Sequence, residues 1–230
     1  MQTVILCGGK GSRMGATSGN IPKPLITIGD RPVLWHLMKY FSHFGFSDFI
    51  LCLGYKGGMI REYFESSKEK WNIEFADTGL ESTKSERLAK IKRLIEGDFF
   101  VSYGDDLTDA SLHDIVSFHK KHRPVVTLTA VRLQSPYGIL KTSNEKITGF
   151  AEKPLLNEWI NGGYMAAGME LFGYLKLGEL EEKVFPALAK EGKICAYKHS
   201  GSWKSMNTLK DNAELNELWS HGKAFWKIWE

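Results

Sequence analysis

Three short stretches carry side chains suited to handling phosphate. The first is Gly8-Gly9-Lys10-Gly11-Ser12-Arg13, directly after the apolar run Thr3-Val4-Ile5-Leu6-Cys7. Glycines let backbone N–H groups come close to phosphate oxygens, and Arg13 can add a charge-assisted fork. The loop lacks the Gly-Lys-Ser/Thr ending of a Walker A loop and the spacing of a GxGxxG dinucleotide turn. Taken alone, such a turn serves equally well as a tight reversal with nothing bound. The second stretch is Ile21-Pro22-Lys23-Pro24. Its prolines predict an extended loop and fix the backbone of Lys23, so the cation is held at low entropic cost. Beside Arg13 and the glycines, Lys23 reads as a second phosphate ligand. The third is Tyr103-Gly104-Asp105-Asp106. A carboxylate at a strand end suits a hard cation such as Mg²⁺, which takes one or two protein carboxylates plus substrate phosphates. Gly-Asp is also ordinary turn chemistry.

These stretches need a scaffold that brings strand ends together. The run Thr3–Cys7 reads as a strand buried on both faces. From Arg31 to Phe44, apolar residues at 33, 34, 37, 38, 41 and 44 mark one helix face, with Pro32 in its first turn and Gly45 at its end. The pattern then predicts a strand over Asp48–Leu53, a helix over Gly58–Phe64 and a strand near Asn72–Ala76. A helix near Ser85–Ile95, a strand at Phe99–Tyr103, a helix at Ser111–His119 and a strand at Val125–Val131 follow. This alternation argues for an α/β fold with a doubly wound, mostly parallel sheet. The remainder reads as more β-rich, with a hairpin around Tyr137–Phe150 and a strand near Gly163–Glu170. Helices are expected at Glu179–Glu191 and Thr208–His221. With no repeats, low-complexity tract or linker, residues 1–230 read as a single domain.

Composition narrows the class. Thirty Lys and Arg against 27 Asp and Glu leave a formal charge of +3, too little for a dedicated nucleic-acid binder. Lys90-Ile91-Lys92-Arg93 reads as the solvated face of a helix. The three cysteines, Cys7, Cys52 and Cys195, have no zinc-ligand spacing and point to a reducing compartment. No apolar run approaches the roughly 18 residues of a membrane helix. No signal peptide is read, and a cytoplasmic location is expected.

Gly8-Gly9-x-Gly11-Ser12-Arg13-Met14 followed by Pro22-Lys23-Pro24 resembles the signature of the sugar-phosphate nucleotidyltransferases, most of all the glucose-1-phosphate cytidylyltransferase branch. The resemblance continues through Gly54-Tyr55-Lys56-Gly57, Asp77-Thr78-Gly79-Leu80 and Tyr103-Gly104-Asp105. It resumes at Glu152-Lys153-Pro154, Ile160-Asn161-Gly162-Gly163 and the tail from Trp203 to Glu230. It implies a Rossmann-like nucleotide-binding part over about residues 1–131 and a β-rich acceptor-binding part over about 132–230. The reaction implied is transfer of CMP from CTP to a small phosphorylated acceptor, with release of pyrophosphate. Arg13 and Lys23 would be catalytic. Leu6, Gly8, Gly9, Gly11, Ser12, Gly79, Arg87 and Ser102 would join them around the nucleotide. Tyr137, Gly138, Glu152, Lys153 and Asn161 would face the acceptor, and Asp105 and Asn207 would hold Mg²⁺. A homo-oligomer is also implied. Because an acceptor phosphate is already an anion near pH 7, no general base is needed, and none of the seven histidines is given a role.

The chain departs from the family in three places. Asn207 stands where the family has a metal-binding aspartate. Ser85-Glu86 replaces a Gly-Gly pair before Arg87, beside the base pocket. The stretch Glu65–Asp77 is shorter than in the cytidylyltransferase branch, so contacts made by that segment in relatives, subunit contacts among them, are not carried over. The neutral Asn207 makes a more anionic acceptor, such as an amino-acid phosphate, an alternative to a sugar phosphate. It is also the one support for a non-catalytic nucleotide-binding module.

Overall fold

Residues 1–10 and 21–230 are described by the computed structural model. The first half runs β1 (Thr3–Leu6), β2 (Thr27–Ile28), β3 (Arg31–Pro32), α1 (Val33–His43), β4 (Asp48–Leu53), α2 (Gly57–Glu65), β5 (Asn72–Asp77) and α3 (Lys84–Lys90). It continues through β6 (Phe99–Tyr103), β7 (Asp106–Thr108), α4 (Leu112–His122) and β8 (Val126–Gln134). Then come β9 (Ile139–Ser143), β10 (Lys146–Ala151), β11 (Leu155–Ala167), α5 (Leu171–Tyr174), α6 (Phe185–Lys190), β12 (Ile194–Lys198), β13 (Trp203–Ser205) and α7 (Leu209–Ser220).

Seven strands form one sheet in the order β12-β8-β11-β6-β1-β4-β5. The buried β1 pairs in parallel with both β4 and β6, and β4 with β5. Such two-sided burial is what continuous apolar strands achieve in a parallel α/β sheet. The expectation of a mostly parallel α/β sheet holds, with one exception at its centre. There β11 runs antiparallel between β6 and β8. It begins at Leu155 rather than Gly163, and its register shifts between Asn161 and Met165. Gly163 sits at that irregularity with φ of +81°, and a Cβ there would lie 2.0 Å from Asp106 Oδ2. Glycine is required on both counts. The sequence also gave no sign of β12, which extends the sheet beside β8 in parallel.

One helix differs from its sequence reading in a way that matters for the site. Its apolar spacing predicts one buried face on α1, yet Val33, Leu34, Trp35, His36, Leu37, Met38, Tyr40 and Phe41 are all buried. Leu34, Leu37, Met38 and Phe41 pack on the sheet with Ile5, Leu51 and Phe100. Val33 faces the other way, into a cluster with Ile28, Leu107, Met206, Leu215 and Trp226. The C-terminal segment thus covers the outer face of α1, and each fully buried large side chain adds about 1.5–3 kcal/mol. The helix over Glu179–Glu191 is likewise modified: a π-helical turn at Leu180–Val184 leads into α6.

Candidate active site

A cleft of about 560 Å³ opens over the carboxyl ends of β1 and β6, where ligands bind in open α/β sheets. Its lining includes Leu6, Gly8, Gly9 and Arg87, the group Lys23, Asp105 and Asn207, and Asn161 and Trp203. Of the residues assigned from sequence, Gly11, Ser12 and Arg13 lie outside the described residues.

Lys23 opens a single 3-10 turn, Lys23–Leu25, where an extended loop was expected. Pro24 fits the start of a helical turn because its missing N–H has no partner there to lose. The Lys23 ammonium donates to the Asp105 carboxylate, and it lies 3.1 Å from Asn207 Oδ1. The route by which Asn207 arrives is visible in the backbone. Strand β13 pairs with β7 so that Ser205 faces Asp106, and Met206 N donates to Asp105 O at 2.9 Å. Thr208 then caps α7 reciprocally with Asp211, whose Oδ2 also accepts from Asn207 N at 3.1 Å. The Asn207 Nδ2 donates to Ser205 Oγ at 2.9 Å, which leaves Oδ1 turned to Lys23. Residues far apart in sequence are thereby fixed by strand pairing and a helix cap.

Arg87 lines the cleft and is at the same time committed to protein partners. Its guanidinium is buried and donates to Leu53 O (3.0 Å), Thr78 Oγ1 (2.6 Å), Gly8 O (3.1 Å) and Leu80 O (3.2 Å). Four of the five N–H donors of an arginine are so engaged with protein. Arg87 therefore braces the turns after β1, β4 and β5. Gly8 is a glycine for the same reason: a Cβ would lie 2.3 Å from the Arg87 guanidinium. The Ser85-Glu86 departure also finds a use, since Glu86 completes a capping box with Thr83 at the start of α3.

Asp106 has its carboxyl buried against Gly163. Burial pushes its pKa well above the usual carboxylate range, and the neighbouring Asp105 charge adds to the effect. Along the cleft, Tyr103 Oη donates to Glu181 Oε1 at 2.6 Å, and Lys84 pairs with the same carboxylate while its Nζ stands 4.4 Å from the Tyr103 ring centre. Burial would raise the Glu181 pKa, but the hydrogen bonds from Lys84 and Tyr103 bring it below its ordinary value. Lys84 and Glu181 belong to no motif, and 97 residues separate them, so no sequence signal joins them. Trp203 also lines the cleft, its Nε1 donating to Gly162 O at 2.8 Å. The other C-terminal tryptophans pack around α1.

The remaining assigned residues are not among those lining the cleft. Ser102 is fully buried within β6. Gly79 closes a turn at φ of +91°, its N–H donating to Asp77 Oδ1. Tyr137, Gly138, Glu152 and Lys153 lie in or beside the β9–β10 hairpin, where Gly138 packs against Phe150 and Glu152 and Tyr137 is 76% exposed. Among the described residues no group of three or more His, Cys, Asp or Glu could hold a metal, and no helix is long and apolar enough to cross a membrane. The three cysteines are free thiols.

Comparison with known proteins identifies the family. Residues 2–216 match the family described as nucleotidyl transferase. The "Probable glucose-1-phosphate cytidylyltransferase" of Bacillus subtilis strain 168 is 36% identical, with both chains covered in full. The glucose-1-phosphate cytidylyltransferase of Salmonella typhi is 34% identical over the same full coverage. Among solved structures, HddC from Yersinia pseudotuberculosis superposes with a TM-score of 0.75 at 21% identity, covering 95% of this chain and 99% of that one. A UDP-glucose pyrophosphorylase bound to UDP-glucose does so with a TM-score of 0.73 at 16% identity, covering 96% and 98%. With residues 2–216 matching the family and full-length relatives at 34–36% identity, the chain belongs to the nucleotidyl transferase family and is a nucleotidyltransferase.

Proposed function

We propose that this enzyme transfers CMP from CTP to a sugar 1-phosphate, such as glucose 1-phosphate, with release of pyrophosphate. The observation that carries the reading is the convergence of Lys23, Asp105 and Asn207 at one corner of the cleft, in a chain whose full-length relatives are named as cytidylyltransferases. The whole chain acts as one unit, with the nucleotide held over residues 1–131 and the acceptor over residues 132–230.

An oxygen of the acceptor phosphate displaces pyrophosphate at the α-phosphorus. That oxygen is already anionic, so the protein need only position the reactants and offset their charge. Lys23 is the cation placed for this, and the glycines at positions 8 and 9 let the nucleotide approach the backbone. Arg13 would contribute a second cation, and Asn161 would face the acceptor. The pairing of one carboxylate with one amide oxygen, both turned to a single cation, fits Mg²⁺ held by two protein oxygens plus substrate phosphates. Bound there by Asp105 and Asn207, Mg²⁺ would supply further neutralisation of phosphate charge.

The test is pyrophosphate release from CTP, ATP, GTP and UTP across a panel of phosphorylated acceptors. Turnover with CTP and a sugar 1-phosphate supports the reading, and turnover restricted to another nucleotide refutes it. The neutral Asn207 favours one second reading, an amino-acid phosphate as acceptor, since a further carboxylate meets less repulsion there. The same panel separates the two.

A further inference from the structure

Lys23 and its two partners have a consequence for the protein before any substrate arrives. The ammonium is held by the Asp105 carboxylate and by Asn207 Oδ1, 3.1 Å away. These are the oxygens assigned above to the metal. The Lys23 and Asp105 side chains are only 14% and 21% exposed, so their attraction is less screened than that of a surface pair. The backbone on either side of Lys23 is fixed by Pro22 and Pro24, and Leu25 N and Ile26 N bond back to Pro22 O and Lys23 O. The long side-chain stem is the part left to move.

We infer that Lys23 acts in the nucleotide-free protein as a built-in cation, occupying the Asp105 and Asn207 oxygens and keeping divalent metal from them until nucleotide phosphates draw its ammonium away. An ammonium and a divalent cation on the same two oxygens would repel strongly, so the two occupants exclude each other. Triphosphate relieves the exclusion because it offers Lys23 other anions and brings negative charge for the metal. Metal and nucleotide therefore enter together, and free Mg²⁺ alone loads poorly. The inference rests on the metal assignment of the proposed function, though not on its base or acceptor.

The experiment is a titration of the nucleotide-free protein with Mn²⁺, the free ion being followed by electron paramagnetic resonance. Wild type and Lys23→Arg, which keeps the charge, should bind weakly. Lys23→Met should bind at least tenfold more tightly, and adding Asp105→Asn to it should abolish the gain. Lys23→Gln gives the same comparison if the methionine variant folds poorly by circular dichroism. Folded Lys23→Met and Lys23→Gln proteins with wild-type Mn²⁺ affinity would overturn the inference, as would a gain that survives Asp105→Asn. No step of this titration depends on turnover. A failed pyrophosphate assay beside a positive Mn²⁺ result therefore refutes the proposed reaction alone, and the reverse pattern refutes only the lysine's part.

Discussion

His36 on α1 and Trp226 near the C-terminus share a fully buried hydrogen bond, Trp226 Nε1 donating to His36 Nδ1 at 3.3 Å. The other ring nitrogen, Nε2, donates to Ile28 O at 2.8 Å. The neutral imidazole is thus satisfied on both sides, and a proton on Nδ1 would remove the acceptor that Trp226 uses. Burial, the main cause, brings the His36 pKa from 6.5 to about 4. A base with a depressed folded-state pKa is protonated more readily when unfolded, so the unfolded chain binds more protons between these values. Stability should fall as pH drops from about 6.5 towards 4, by on the order of 3 kcal/mol for this group. Thermal unfolding of wild type and His36→Asn across this range checks it: the variant should be less stable at neutral pH and lose less on acidification.

The same contact predicts the effect of shortening the chain. Removing residues after His221 deletes Trp226, which is 0% exposed and lies against Val33 and Leu215. Losing so large a buried aromatic costs about 3–5 kcal/mol. Urea unfolding should show that loss. A truncated protein of wild-type stability would show that the cluster over α1 contributes little.

Lys23→Ala should lower turnover by about 10²–10³-fold, the scale of removing one charge-stabilising donor from a reacting centre. The fold should survive, because Lys23 contributes a site contact and little core. Steady-state pyrophosphate release and a melting curve on one preparation test both halves of the statement. A fall in activity accompanied by a large fall in melting temperature would assign Lys23 a structural role instead.

Arg87→Met should act mainly on stability. It removes one donor each from Leu53 O, Gly8 O, Leu80 O and Thr78 Oγ1, and losing hydrogen bonds from a charged group costs about 1.5–3 kcal/mol. Preference among the four nucleotides should change less than melting temperature does. Calorimetric titration of each nucleotide distinguishes this from direct reading of the base, which would alter preference in a still stable protein.

Gly163→Ala should be among the most damaging single-methyl additions, because the new Cβ would lie 2.0 Å from Asp106 Oδ2 in a backbone conformation of positive φ. A loss of about 2 kcal/mol or more is expected from steric strain alone. Denaturant unfolding measures it, and a neutral result would mean that the β11 irregularity relaxes freely.

How much of this was legible depended on whether the deciding contact was local. Strands β4 and β6 fall where their apolar runs place them. The first half of β11 is largely exposed, and Asn157, Glu158 and Asn161 interrupt its apolar residues, so it offered no run to read. Strand β12 is only partly buried at the edge of the sheet, which weakened its signal in the same way. At the site, Lys23, Asp105 and Asn207 each stand in a recognisable motif and do meet. The partnership of Lys84 with Glu181 and the inward commitment of Arg87 arise from tertiary packing alone, and residue type and spacing carry no trace of them.

The bracing by Arg87 also bears on which part of the cleft can give way. One guanidinium ties together the chain turns that follow β1, β4 and β5, so that flank is stiff and responds as a unit. Elsewhere in the cleft lining, Trp203 stands in the pairing of β7 with β13, three residues on each side. Short two-stranded pairings are the weaker kind of sheet. Adjustment to substrates of different size is therefore expected on the Trp203 flank rather than at the Arg87 brace.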